Sequence, residues 1–238
     1  MSLIEDINTL SDQQIEDVEK LTVRWLFQAV RDFGMEAFEV FRLSPDDVKD
    51  VAEDVTREIL DRLPGYNVPQ RIYGTVDYKK ARYIILPERM VRQALFVDSK
   101  AEKESGNATL QMSQTSLRIR QCRSGQQVDQ PGLLPKVSIY GGKQYLTTTA
   151  FLHFTYEDVG KEHRLSCCTI CGLPNGRLQD RYNPSAKDTI WMAGRNAPSL
   201  GEDFRARISY KRLKAKAAWR VQRICYSADQ GCSGEWED

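Results

Sequence analysis

Apolar residues recur at helical spacing along the first quarter of the chain. Ile15, Val18, Leu21, Trp25, Leu26, Ala29 and Phe33 lie mostly three or four apart behind a Ser11–Gln14 capping-box pattern, and they predict one amphipathic helix. A second stripe, Val48, Val51, Ala52, Val55, Ile59 and Leu63, predicts a helix from about Pro45 to Leu63, which "LPGYNVP" ends. The pattern then changes. "RIYGTVDY", "ARYIILP" and "QALFVDSK" are short, apolar and rich in β-branched or aromatic residues, so they predict strands.

A polar, irregular stretch from Gly106 to Pro131 separates these from further strand-like runs, "KVSIYG", "AFLHFTY" and "RLSCCTIC". Residues 174–203, with three prolines and three glycines, read as a long loop region. "FRARISY" is a further strand, followed by a short helical "KRLKAKAA" and a strand-like "WRVQRICY". Helices first and a mixed sheet afterwards indicate the α/β or α+β class. No internal repeat, low-complexity tract or linker divides the chain. One domain over 1–238 is expected, its N-terminal helical part ending near residue 65.

Composition narrows the class. With 238 residues, 41% hydrophobic and 28% charged, the chain can bury a sizeable core and is ordinary for a water-soluble protein. No run of about 18 apolar residues occurs, so no membrane partner is expected. The acidic start "MSLIEDINTLSDQ" lacks a secretory layout, and six unevenly spaced cysteines suit a reducing cytoplasm better than a disulfide framework. The net charge of +1 conceals an asymmetry. Residues 1–63 hold sixteen acidic against seven basic side chains, and residues 177–225 hold twelve basic against four acidic. A polyanion would be drawn to the second region, although two solvated faces of opposite sign would have the same composition.

The triplet Asp-x-Lys occurs three times, at Asp47, Asp77 and Asp98. Asp47 falls in the first turn of a predicted helix, where a carboxylate favours the helix dipole. Asp98 and Lys100 stand two apart on a predicted strand, so both point to one side off the end of Leu95-Phe96-Val97. Asp77 closes "IYGTV" in the same way. If the two strands are neighbours, both carboxylates meet at one edge. There they can hold Mg²⁺, which wants hard oxygen ligands, while a lysine orients or deprotonates the water attacking a phosphodiester. Strands that end in Asp and Lys merely to meet water carry the same residues, so spacing alone leaves both readings open.

The segments "GTVDYKKAR" and "FVDSKA" resemble the active-site strands of the PD-(D/E)xK nuclease superfamily. Within it the chain is similar to the SfiI-type family of type II restriction endonucleases. That likeness continues, in order, through "VEKLTVR", "AEDVT", "TLQMSQ", "HFTY", "LPNGRLQDRYNP", "AGRNAPSLGE", "FRARI", "RLK", "WRVQ" and "YSAD". It implies a restriction-endonuclease-like core, a central mixed sheet flanked by helices, and Mg²⁺-dependent hydrolysis of both strands of duplex DNA at an interrupted, GC-rich palindrome. Mn²⁺ would substitute for Mg²⁺. The resemblance makes Asp77 and Asp98 the metal ligands and Lys100 the lysine acting on water. Glu53 of "AEDVT" becomes a further acidic candidate, unless it only solvates its helix. Val76 stands where the superfamily signature has proline, a residue without chemistry. A homodimer or homotetramer, as a pair of dimers, is the implied assembly.

The resemblance also implies a reader of sequence within about 177–225. Arg205 and Arg207, two apart on "FRARI", would project to one side, where arginine pairs with guanine O6 and N7. Contacts to phosphate, or pairing with Glu202 and Asp203, are the alternatives. Arg195 and Asn196 are second-rank readers, the family having lysine at the first of these. Arg181 in "RYNP" builds a loop with a phosphate contact. Lys211, Arg212, Lys214 and Lys216 would supply salt-sensitive phosphate binding. Cys168-x-x-Cys171 lacks a second well-spaced pair, so no zinc is expected. His153, within the alternating "AFLHFTY", reads as a core or sheet residue.

Overall fold

The structure, a computed structural model, describes residues 3–44, 47–63, 67–73, 80–86, 89–103, 106–123, 125–192, 205–229 and 231–238. The capping box at Ser11 is formed: its N–H donates to Gln14 Oε1 at 2.8 Å, and its hydroxyl accepts from the Gln14 N–H at 3.2 Å. It opens α1 (Asp12–Asp32). The chain then turns at Phe33 into α2 (Gly34–Leu43), a helix the periodicity did not anticipate. Gly34 is required there, because a Cβ would meet Cys232 Sγ at 2.6 Å. Asp47 caps α3 (Val48–Asp61) by accepting from the Lys49 N–H at 2.9 Å, and the whole predicted inner stripe of this helix is buried.

The principal sheet is built from β1 (Asn67–Tyr73), β2 (Lys80–Leu86), β3 (Val91–Glu102), β7 (Val137–Tyr140), β8 (Lys143–Val159), β9 (Glu162–Leu173), β11 (Val221–Ser227) and β12 (Gly231–Ser233). Its order is β1-β2-β3-β8-β9-β11-β12, with β7 also paired to β8, and among these pairings only β3 with β8 is parallel. Within the polar stretch from Gly106 onward lie three strands that hydrophobic patterning did not reveal: β4 (Asn107–Gln111), β5 (Ile119–Arg123) and β6 (Gln126–Gln130). β5 and β6 form a hairpin, while β4 pairs antiparallel with β10 (Arg205–Ser209). The short helices α4 (Gln179–Tyr182) and α5 (Tyr210–Lys216) are the remaining α-helices among the described residues.

Two cores sit on opposite faces of this sheet. One packs α1, α2 and α3 onto Leu95, Ala150, Leu152, Phe154, Ile170 and Ile224. The other gathers Phe151, Cys171, Ala206, Ile208, Tyr210 and Trp191. α1 spans both, contributing Ile15 and Val18 to the second core and Leu26 and Val30 to the first.

The same helix also buries charge. Glu16 and Glu19, counted from sequence among the acidic side chains of the first region, are only 5% and 3% exposed. Arg220 explains them. It is fully buried, donates to Glu19 Oε2 at 2.6 Å, and lies between the rings of Tyr182 and Trp219 at 4.3 and 4.2 Å. Burial raises the Glu19 carboxyl above its ordinary range, while Arg220 and the Asn175 N–H pull it back. A lone buried charge is costly, so removing one partner should destabilise far more than a surface change. Arg220→Ala should lower the unfolding free energy by about 3–5 kcal/mol. The midpoint of urea unfolding followed by circular dichroism measures this.

Candidate active site

Alternation along β3 puts Val97 and Ala101 against the helical core, so Asp98, Lys100 and Glu102 project from the opposite face. Lys100 Nζ lies 2.6 Å from Asp98 Oδ2, an ion pair with the two side chains 21% and 29% exposed. Asp98 Oδ2 is itself buried, with the Lys100 ammonium as the positive charge beside it. A hard oxygen of this kind suits a divalent cation. Among the described residues no three His, Cys, Asp or Glu side chains converge as a metal site. Further ligands must therefore come from outside these residues or from other oxygen donors.

Asp77 lies outside the described residues. The described strands nearest it in sequence, β1 and β3, are not adjacent: β2 lies between them, pairing with β1 on one side and β3 on the other. Proximity is still available. Ala81 pairs with Phe96 in antiparallel register, so the chain enters β2 at the Asp98 end of β3. Glu53 is exposed on α3, and that helix packs on the β3 face turned away from Asp98 and Lys100. The described side chains thus do not unite Glu53 with this pair.

Behind the pair lies a row that sequence reading missed. In the parallel ladder Lys100 stands beside His153, which is opposite Thr169 on β9, which is opposite Arg223 on β11. His153 is fully buried, and its Nδ1 lies 3.0 Å from the Tyr210 hydroxyl. Its Nε2 is 3.8 Å from Glu102 Oε2, too far for a hydrogen bond. Burial, helped by the positive charge of Lys100, pushes the imidazole down to about 4, so it is neutral near pH 7. His153 is therefore a sheet residue, as its alternating context suggested. Burial also raises the Tyr210 hydroxyl well above its usual range. Glu102 was findable by counting alternate positions past Lys100. His153 and Tyr210 were not, since their approach depends on pairing between distant strands.

Beside this face stands the β4–β10 ribbon. Ala206 and Ile208 point into the core, which leaves Arg205 and Arg207 together on the other side. Asn107, on β4, accepts from Arg207 Nη2 at 2.7 Å. The Nε atoms of both arginines are buried without a partner among the described residues. Arg195 and Asn196, like Glu202 and Asp203, fall outside those residues. Other basic candidates already have partners: Arg181 pairs with buried Glu16, and Lys214 and Lys216 reach Glu237 and Asp188 at 2.6 Å each. Arg212 donates to the Trp191 carbonyl at 2.6 Å.

The core of a restriction-endonuclease-like nuclease of the PD-(D/E)xK type is what these features define: a mixed sheet flanked by helices, and an acid–lysine pair in the second half of a central strand. Residues 34–224 match the family model of type II restriction enzyme SfiI. Type II restriction enzyme SfiI of Streptomyces fimbriatus is 33% identical over 250 residues, covering 98% of this chain and 93% of its own. The chain belongs to the SfiI family of type II restriction endonucleases. A crystal structure of tetrameric restriction endonuclease SfiI bound to cognate DNA superposes with a TM-score of 0.87, at 32% identity, over 99% of this chain and 94% of that one. That of restriction endonuclease BglI bound to its DNA recognition sequence shares the fold, with a TM-score of 0.69 at 18% identity, over 89% and 91% of the two chains.

The cysteines divide by face. Cys168 belongs to the helical core and Cys171 to the opposite one, so the two cannot converge on one ion. Burial raises the Cys168 thiol well above its usual range and pushes Cys171 up to about 12. Cys122 and Cys225 are exposed and Cys232 is half-buried. A thiol reagent such as Ellman's should therefore titrate Cys122 and Cys225 quickly in the native protein. Cys167, Cys168 and Cys171 should react only on unfolding. Rapid native labelling of Cys168 would contradict its placement in the core.

Proposed function

We propose that the protein hydrolyses phosphodiesters in both strands of duplex DNA, with Mg²⁺ as cofactor, at an interrupted GC-rich palindrome. The observation that carries this reading is the Asp98–Lys100 pair in the second half of β3, with Nζ 2.6 Å from a buried Asp98 oxygen. Asp98 would hold the cation together with Asp77, which precedes β2 by a short tether entering from the same end. Glu53 is kept as a further carboxylate, provided α3 or its side chain shifts. When bound, Mg²⁺ offsets the charge that builds on the phosphate as it is attacked; Mn²⁺ also prefers oxygen ligands and would serve. Lys100 would exchange Asp98 for the attacking water and, as an ammonium, donate to its oxygen, orienting it and stabilising the hydroxide that forms as its proton leaves to bulk water. Its position on a sheet strand, rather than a loop, keeps the ammonium in line.

Reading is assigned to the β4–β10 ribbon, since a two-stranded ribbon fits the major groove. The unpartnered Nε groups of Arg205 and Arg207 call for acceptors, and guanine O6 and N7 provide them. Arg195 and Asn196 follow as secondary readers. Arg181 and Lys214 would touch phosphate only by exchanging Glu16 and Glu237 for it. A palindromic site implies two-fold symmetry, and the tetrameric relative bound to cognate DNA supports a homotetramer built as a dimer of dimers. The 1–238 chain would act as one domain, in the cytoplasm where its DNA substrate lies.

Cleavage of a plasmid of known sequence tests the catalytic assignment. Discrete bands should appear with Mg²⁺ or Mn²⁺ and none with EDTA. Asp98→Ala and Lys100→Ala should each slow cleavage by about 100-fold or more while leaving cognate binding in Ca²⁺ intact. Asp47→Ala, in the unrelated triplet, should leave cleavage unchanged and cost about 1 kcal/mol of stability through its lost helix cap. Equal loss of cleavage in the Asp47 variant would refute the site.

Binding to cognate and scrambled duplexes tests the reader. Arg207→Ala should lose about 1–3 kcal/mol of discrimination, or roughly 5- to 150-fold in cognate affinity, with little change on scrambled DNA. Lys214→Ala should weaken both duplexes alike, and only modestly, because its ammonium is already shared with Glu237. Equal weakening of both duplexes by Arg207→Ala would make that residue a phosphate clamp.

A further inference from the structure

The reading ribbon and the acid–lysine pair are joined through one side chain. Tyr210 follows β10 directly as the first residue of α5, so it moves with the strand that carries Arg205 and Arg207. Its N–H donates to the Gly106 carbonyl at 3.1 Å, in the turn between β3 and β4. Its ring is 5% exposed, and its hydroxyl meets His153 Nδ1 at 3.0 Å. His153 in turn stands beside Lys100 in the parallel ladder, with no solvent around it. The nearby Glu102 carboxylate selects the tautomer. A proton on Nε2 faces that negative charge favourably, so Nδ1 accepts from the tyrosine hydroxyl. Nε2 is left buried, without a hydrogen-bond partner among the described residues. Such an atom is rarely retained in a sheet core where an apolar side chain would serve.

We propose that Tyr210 and His153 are positioning residues that couple occupation of the reading ribbon to the placement of Lys100. The inference rests on Lys100 acting on the attacking water, as argued above. Neither side chain touches DNA in this scheme. The hydroxyl fixes the imidazole, and the imidazole is the ladder neighbour of the lysine on the same face. A shift of β10 on seating its bases is passed to that neighbour without a flexible intermediate. A small misplacement of a reacting group suffices to slow chemistry by orders of magnitude.

Tyr210→Phe deletes only the hydroxyl, and His153→Gln and His153→Leu respectively keep and remove a polar side chain. Binding to cognate DNA in Ca²⁺, single-turnover cleavage in Mg²⁺ and thermal unfolding should be measured for all three, alongside Lys100→Ala. Expected are unchanged cognate affinity and an about 10- to 100-fold lower cleavage rate for Tyr210→Phe and His153→Leu, with His153→Gln recovering part of the loss. Two results would overturn the coupling. One is cleavage at the wild-type rate in Tyr210→Phe and His153→Leu. The other is loss of cleavage only in proportion to lost affinity or folded fraction, which makes the residues structural. If Lys100→Ala itself still cuts, the catalytic reading has failed instead, and the two failures are told apart.

Discussion

A guanidinium with no access to water is the constraint on which much of this molecule depends. Removing an arginine from solvent costs several kcal/mol, and the loss is offset only if every surrounding group is held in place. Arg220 therefore fixes its neighbours. Glu19 and Glu16 come from α1, the Gly172 carbonyl from the end of β9, and the aromatic faces from Tyr182 and Trp219. Glu19 passes the constraint on by accepting the Asn175 N–H at 2.7 Å. The Asn175 side chain then donates to the Lys136 and Thr147 carbonyls at 2.8 and 2.7 Å. Thr147 lies on β8, the parallel partner of the strand that carries Asp98 and Lys100. Helix, turn and central strands are thus registered through one buried charge cluster.

The charge asymmetry takes on a different meaning in this light. Acidic residues of the first region and basic residues of the last are in part internal partners: Glu19 with Arg220 and Glu16 with Arg181. Arg177 also crosses, donating to the Ile7 and Leu10 carbonyls at 3.0 and 2.6 Å. A positive region that cements the fold has less charge left for a polyanion. What remains is selective. Arg205 and Arg207 keep buried Nε donors without partners, whereas Lys214 and Lys216 do not reach DNA without leaving a carboxylate.

How much of this could be read from the residues depends on range. Helix α3 was legible because its stripe is local, although Asp47 proves to be its N-cap rather than a first-turn residue, and the Asp98–Lys100 placement was legible because strand alternation is local. Helix α2 was hidden: it begins at Gly34 immediately after the cap of α1, and a glycine there looked like an ending. β4 escaped notice because only Ala108 and Leu110 alternate inward among polar neighbours, and its partner β10 lies far along the chain. Glu16 and Glu19 looked like surface acids, since Arg220 stands 201 residues beyond Glu19. The row behind Lys100 had no local signal at all, being set by the register of a parallel pair.

In the proposed function, strand continuity also ties reading to cutting. β3 leaves the catalytic face at Glu102 and becomes β4 at Asn107, so a single stretch of chain carries the acid–lysine pair and one side of the ribbon. Asn107 orients Arg207 from that side, and the Gly106 carbonyl holds the Tyr210 N–H at the start of α5. The second strand of the ribbon cannot slide along the first without breaking the ladder from Arg205–Gln111 to Ser209–Asn107. Two separate modules would need a linker whose flexibility blurs the distance between base contacts and scissile phosphate. In the proposed scheme that distance is set by the short connection from β3 to β4 and by packing under both arginines, Ala206 and Ile208 being inside the core. A cut at a fixed offset from the bases read is what such a continuous element would produce.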